Sequence, residues 1–240
     1  MIPIVYNTMV VHLKTFLRIR QAVFWSLIFP IFLFVVFGSI FGMAGDPDFT
    51  RFLLTGVITM TIASDGLFAI GSIIKKYYNN GTIRVLQKLP FNILYYFVGV
   101  ILTRFVILFA VVLALNIVSA GVFSYVLPIN YLGNIVGGAL LGLVIFSFIG
   151  LCVAFSNLNV PSGDKGLINM VYFVILFTSN ALYPVSSFNS TIGSIANWLP
   201  MNPILTIIRG EPVLWGSLLL WLILPVVLFY YLFRKLQVVR

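Results

Sequence analysis

Charge is what this sequence has least of. Of its 240 residues, 14 are lysine or arginine and only 5 are aspartate or glutamate, so 8% carry charge, against roughly 25% in a soluble domain. A chain so poor in charge has no surface to show water, which excludes a soluble globular fold. A single cysteine, Cys152, excludes an internal disulfide, and no set of residues has metal-ligand spacing. One histidine, His12, and so few carboxylates exclude acid–base catalysis on this chain; His12 reads as a polar residue at headgroup level. No G-x-x-x-x-G-K-[ST] phosphate loop occurs, so the chain has no cradle of its own for a nucleotide.

What remains is hydrocarbon. The sequence is 61% hydrophobic with a mean hydropathy of +1.13, and its class is an all-α, polytopic membrane protein forming one transmembrane domain over 1–240. Six runs are long enough to cross a core of about 30 Å at about 1.5 Å per residue: 22–42, 52–74, 93–120, 131–156, 166–183 and 214–233. The first contains Pro30, which predicts a kink. It is also too long for a signal-peptide core of about 7 to 15 residues, so it reads as a retained span. Residues 3–20 precede it as an amphipathic helix. Val5, Met9, Leu13 and Phe16 line one side and Asn7, Lys14, Arg18 and Gln21 the other, a pattern suited to a helix lying in the lipid interface.

Basic residues orient the bundle. With the N-terminus inside, eleven lysines and arginines fall in cytoplasmic segments, and only Arg51 and Arg209 fall outside. The bias places both termini in the cytoplasm and explains the basic excess without nucleic acid. The longest polar interruption is 75–92, KKYYNNGTIRVLQKLPFN, with four of the basic residues, no acid, and the breakers Gly81 and Pro90. A second interruption, 184–212, is too apolar for a loop in water and too broken for one span, with prolines at 184, 200, 203 and 212. Two short helices near 188–198 and 202–209, dipping into the outer leaflet, fit it; such backbone survives only when buried in protein or lining a cavity. Tyr183, Trp198 and Trp215 are suited to the outer headgroup level.

Two ionisable residues fall inside spans, where charge is costly. Asp65 and Arg104 lie at matching depths in spans two and three, so an ion pair across that hairpin is available, as is a proton or substrate site. In span four, Gly133 and Gly137, then Gly138 and Gly142, make two G-x-x-x-G spacings that permit close helix contact, within one subunit or between two.

The whole chain resembles the type-2 ABC transporter permease family. The features that carry the likeness are the interfacial helix, the six spans, the polar insert after span two and the proline-broken outer segment before span six. The best local match is G-T-x-x-x-L-x-x-x-P, present as Gly81, Thr82, Leu86 and Pro90; the outer match is Tyr183-Pro184, then Trp198-Leu199-Pro200, then Arg209. The resemblance implies that Gly81, Thr82, Ile83, Arg84, Leu86, Lys88, Leu89 and Pro90 form a coupling helix that docks on a nucleotide-binding ATPase subunit. It implies ATP and Mg on that partner and no cofactor on this chain. It implies two permease copies, identical or different, in the plasma membrane, exporting cargo that the apolar, aromatic composition makes amphipathic or hydrophobic. Ile83, Leu86 and Leu89 would fill a groove on the partner. The chain departs from the family in carrying Tyr77, Asn79 and Arg84 where glutamates are usual. Two other classes stay open from the residues alone: a carrier or channel using Asp65 and Arg104 without an ATPase, and a membrane scaffold without transport.

Overall fold

The computed structural model describes residues 2–41, 46–88, 92–156, 163–185 and 190–238. All regular structure among them is helical. An amphipathic helix α1 (Ile2–Arg18) leads after a one-residue break into α2 (Arg20–Phe41). Helix α3 is one rod made of three consecutive segments, Pro47–Ser64, Asp65–Ile70 and Gly71–Asn79. A short α4 (Thr82–Gln87) follows, then α5 (Ile93–Phe123), α6 (Leu132–Ser156), α7 (Gly163–Thr178), the short pair α8 (Ser190–Asn197) and α9 (Met201–Arg209), and α10 (Trp215–Val238).

Five of these, α2, α3, α5, α6 and α10, are long and apolar enough to cross a membrane. The span expected over 166–183 ends earlier, at Thr178, and begins at Gly163. Its 16 residues reach only about 24 Å, short of a core of about 30 Å. The chain turns at Ser179, and the turn that follows is held by side-chain amides of asparagine rather than by a helical ladder. Asn180 Oδ1 accepts from Val185 N at 2.9 Å, and Asn180 N donates to Asn202 Oδ1 at 3.1 Å.

Helix α3 is the axis of the bundle. It starts where Asp46 caps it, its carboxylate accepting from Asp48 N at 3.0 Å and Phe49 N at 3.3 Å, with Pro47 in the first turn. Every residue from Leu53 to Ala63 is buried. A helix apolar on all sides belongs inside a bundle rather than at its rim, and α2, α5, α6 and α9 pack around this one. Small residues set the distances. A Cβ at Gly71 would meet the Gly150 backbone, and one at Gly150 would meet the Leu67 backbone, so α3 and α6 touch main chain to main chain. The rim helices α2 and α10 show the outside large apolar side chains such as Phe32, Ile223 and Tyr231.

Among the described residues two turns are wound as π-helix, Phe24–Ile28 in α2 and Asp65–Ile70 in α3. The first lies immediately before Pro30, where the kink was expected. Proline has no N–H and its ring crowds the carbonyl four residues earlier, and a widened turn accommodates both. Helix α1 also departs from expectation. Its apolar stripe packs on protein: Phe16 is buried along with Thr8, and the α1 backbone at Val5 rests on Gly99 of α5, where a side chain would collide. Asn7, Lys14, Arg18 and Gln21 are exposed on the other side.

Candidate functional site

Three constellations lie along the bundle, and the first is the end of the α3–α4 hairpin. The 31 residues Pro47–Tyr77 run about 46 Å, well over the thickness of a hydrocarbon core, so one end of α3 projects from it. Lys76, Asn79 and Asn80 are exposed there. Gly81 then reverses the chain with φ of +70°, a left-handed conformation that costs a residue with a Cβ about 1–2 kcal/mol, and this lets α4 fold back onto α3. Val85 N donates to Gly81 O at 3.3 Å to close the first turn. The rotation of α4 differs from the one expected. Leu86 is 9% exposed, turned against its own chain, whereas Val85 is 62% exposed and Lys88 is exposed one turn on. Leu86 is therefore a hairpin contact, and the outward face is that of Val85 and Lys88. Backbone positions place Ile83 and Arg84 in the same short helix; Leu89 and Pro90 lie outside the described residues.

Close to the foot of this hairpin, three rings join three helices. His12 Nε2 of α1 stands 3.0 Å from Tyr96 Oη of α5 and 3.4 Å from Tyr77 Oη of α3, while Tyr96 donates to Tyr77 at 3.1 Å. Burial holds the His12 pKa below its usual value, and the Arg104 guanidinium pushes it the same way. His12 is thus neutral in the folded chain at pH values where a free imidazole would already take a proton. Seating of α1 on α5 is expected to be full above about pH 6.5 and to weaken as pH falls toward the lowered value. Protection of α1 amides, after correction for the intrinsic pH dependence of exchange, should fall between pH 7.5 and pH 5.5, and His12→Gln should flatten that dependence.

The second constellation is the buried pair. Arg104 Nη1 stands 4.0 Å from Asp65 Oδ1, with the two side chains 14% and 6% exposed. Asp65 Oδ1 also accepts from Ser26 Oγ at 3.3 Å, and Oδ2 has no hydrogen-bond partner. The Arg104 guanidinium lies 5.6 Å from the centre of the Phe16 ring. Four elements therefore meet at one pair of charges: α1 through Phe16, α2 through Ser26, α3 and α5. Both π-turns serve this junction, since Ser26 sits in one and Asp65 opens the other. The signal visible in the sequence was Ser26, one of two hydroxyls in the apolar run 22–42.

The third lies at the opposite end of the bundle, where α9 folds back against α3. Arg209 is 6% exposed. Its Nε donates to Thr55 Oγ1 at 3.1 Å, and its Nη2 donates to Phe52 O at 3.1 Å and Asn180 O at 2.9 Å. The guanidinium lies 4.0 Å from the centre of the Phe52 ring. Arg51 returns the contact, donating from Nη2 to Arg209 O at 2.8 Å. Gly210, with φ of +70°, ends α9 at this point. Pro200 is buried, Trp198 is 52% exposed, and Trp198 O accepts from Trp221 Nε1 at 2.7 Å. Tyr183 Oη donates to Phe177 O, and Pro184 is exposed beside it. Asn202, which sequence reasoning passed over, ties this segment to the end of α7. The two glycine pairs of α6 divide: Gly138 faces Ile208 and Gly142 faces Ile62 and Ile204, while nothing lies within 4 Å of a Cβ at Gly133 or Gly137.

With this geometry in view, the sequence comparison decides the family. Residues 8–211 match the family described as ABC-2 type transporter. The chain belongs to that family. The match runs from α1 through the end of α9, so it takes in the hairpin end, the buried pair and the Arg209 segment together. No curated protein matches the chain in sequence. Membership makes this a multi-pass membrane protein and a permease component of an ABC transporter, a transport subunit that works in general with an ATP-binding subunit. Among the described residues no group of histidine, cysteine, aspartate or glutamate is placed to hold a metal ion.

Proposed function

We propose that the chain is the permease subunit of an ATP-binding cassette exporter. A separate nucleotide-binding ATPase subunit, carrying ATP and Mg, drives it to move an amphipathic or hydrophobic substrate, such as a drug, a lipid or a lipid-linked glycan, out of the cytoplasm or inner leaflet. The reading has two permease copies in the plasma membrane, both termini cytoplasmic, and the α3–α4 hairpin end as the ATPase contact. One observation carries it: a glycine-hinged helix, projecting past the hydrocarbon layer, turns Val85 and Lys88 outward at the tip of the most buried helix in the bundle.

A contact at that tip has mechanical leverage. Helix α3 touches α2, α5, α6 and α9, so a push along it is felt by every helix packed around it. Nucleotide-driven closure of the ATPase would tilt α3 and α5 together and move the bundle between inward- and outward-open arrangements. The side chains where α5 and α6 meet over α3, among them Ile58, Ile62, Phe105, Phe109, Val112 and Ile135, are all apolar, so a path opened there would be walled by hydrocarbon.

The carrier reading has one observation in its favour, the unpartnered Asp65 Oδ2. Carriers that couple to ions gather several groups around a midplane site, and the remaining contacts of this pair join helices instead. Purification in mild detergent separates the two. The exporter reading predicts that an ATPase subunit co-elutes in equal amount and that the complex hydrolyses Mg-ATP. Transport by the purified chain alone, without ATP, would favour the carrier.

A further inference from the structure

The exposed chemistry of the hairpin end specifies what kind of surface can meet it. From Lys75 to Asn92 the sequence holds Lys75, Lys76, Arg84 and Lys88 and no acidic residue. Lys76 and Lys88 are exposed, one on the last turns of α3 and the other just past α4. Between them stands Val85, 62% exposed. Leu86, the residue next to it, is buried within the chain. Asn79 and Asn80 complete the exposed tip with neutral polar groups. Nothing acidic in this segment balances the two exposed cations. A basic or neutral partner would leave them facing like charge or apolar surface, which costs affinity, whereas opposed carboxylates speed encounter and fix register.

We propose that the hairpin end docks on an acidic surface of its protein partner, a shallow apolar pocket for Val85 rimmed by carboxylates that meet Lys76 and Lys88. The inference rests on reading this end as the ATPase contact and adds the chemistry of the partner's groove. Val85 supplies contact area and Lys76 and Lys88 supply orientation, so the two kinds of residue fail differently when changed. Removing the apolar knob weakens the complex at any ionic strength. Reversing the charges weakens it most at low salt and turns the fall in affinity with added salt into a rise, because salt then screens repulsion instead of attraction.

The test uses the full chain in nanodiscs of neutral phosphatidylcholine, so that no anionic lipid competes, titrated with the co-purifying ATPase subunit prepared separately. Binding is measured at roughly 50 and 300 mM NaCl. Wild type is expected to bind about tenfold more weakly at the higher salt. The pair Lys76→Glu and Lys88→Glu should lose at least that factor at low salt and bind more tightly, not less, at the higher salt, with Val85→Asp losing binding at both. Acid-to-lysine changes in the ATPase groove should restore the charge-reversed chain. Unchanged affinity and salt dependence in the charge-reversed chain, with Val85→Asp still defective, overturns the acidic surface and leaves the docking reading standing. Full binding by Val85→Asp and by the charge-reversed chain overturns the docking reading itself. Charge reversal that spares the ATPase but abolishes binding of the hairpin end to phosphatidylglycerol vesicles assigns the cations to lipid and also overturns the proposal.

Discussion

Arg104→Ala is expected to destabilise the folded chain by about 3–5 kcal/mol, and adding Asp65→Ala in the same chain is expected to recover most of that loss. The asymmetry comes from burial. Taking away Arg104 leaves the Asp65 carboxylate, 6% exposed, with one hydroxyl from Ser26 and nothing of opposite charge. An ion held that way in a low-dielectric surrounding costs far more than the pair contributes when complete. The double variant loses both ions, and Ser26 loses an acceptor that its own helix can replace. Loss of the guanidinium also removes the cation over Phe16, so α1 should loosen first. Thermal unfolding in detergent, followed by the size-exclusion profile, measures all three chains. Equal melting temperatures for Arg104→Ala and the double variant would contradict a charge-compensating role for the pair.

Arg209→Ala is expected to cost about 3 kcal/mol, because one guanidinium serves three acceptors on two elements and charge-assisted bonds of this kind contribute about 1.5–3 kcal/mol each without being additive. Phe52 O and Asn180 O lie 157 and 29 positions away in sequence, so the residue ties the end of α9 to α3 and to the turn after α7. Arg209→Lys should recover little of the loss, since an ammonium cannot reproduce the fork that reaches Thr55, Phe52 and Asn180 together. The defect should localise: limited proteolysis is expected to cut within 184–212 while leaving the α3–α6 core intact. A variant that melts like wild type and resists cleavage there would mean that the segment is held by its apolar contacts alone.

Much of this architecture is legible in the sequence because long apolar helices need no partner to announce themselves. The expected runs 93–120 and 131–156 fall within three residues of Ile93–Phe123 and Leu132–Ser156, and the short helices expected near 188–198 and 202–209 are Ser190–Asn197 and Met201–Arg209. Asp65 and Arg104 could be matched in depth by counting residues, since helical rise is fixed. Rotation about a helix axis is a different matter. Val85 and Leu86 are adjacent and equally apolar, and only the packing of α4 on α3 decides which of them turns in. The short span was equally hidden. Thr178, Ser179 and Asn180 do not by themselves end a helix, and what ends this one is Asn180 and Asn202, 22 positions apart, exchanging their amides with the backbone. The π-turns have no sequence signature beyond Pro30. The His12–Tyr77–Tyr96 contact joins residues 84 positions apart and is visible only once α1 lies on α5.

On the proposed function, a separate ATPase acts on this chain through the outward-facing Val85 and Lys88 of the hairpin end. The most direct measurement of that contact is the ATP hydrolysis rate of the partner subunit, co-reconstituted in liposomes with wild type, Val85→Asp or Leu86→Ala chains. Val85→Asp is expected to fold and insert normally, because the side chain is already in solvent, and to abolish the stimulation that wild type gives. Leu86→Ala is expected to lower thermal stability by about 2 kcal/mol or more through loss of a buried contact, with stimulation retained in the fraction that stays folded. Undiminished stimulation by a folded Val85→Asp chain would contradict the assignment of this face to the ATPase.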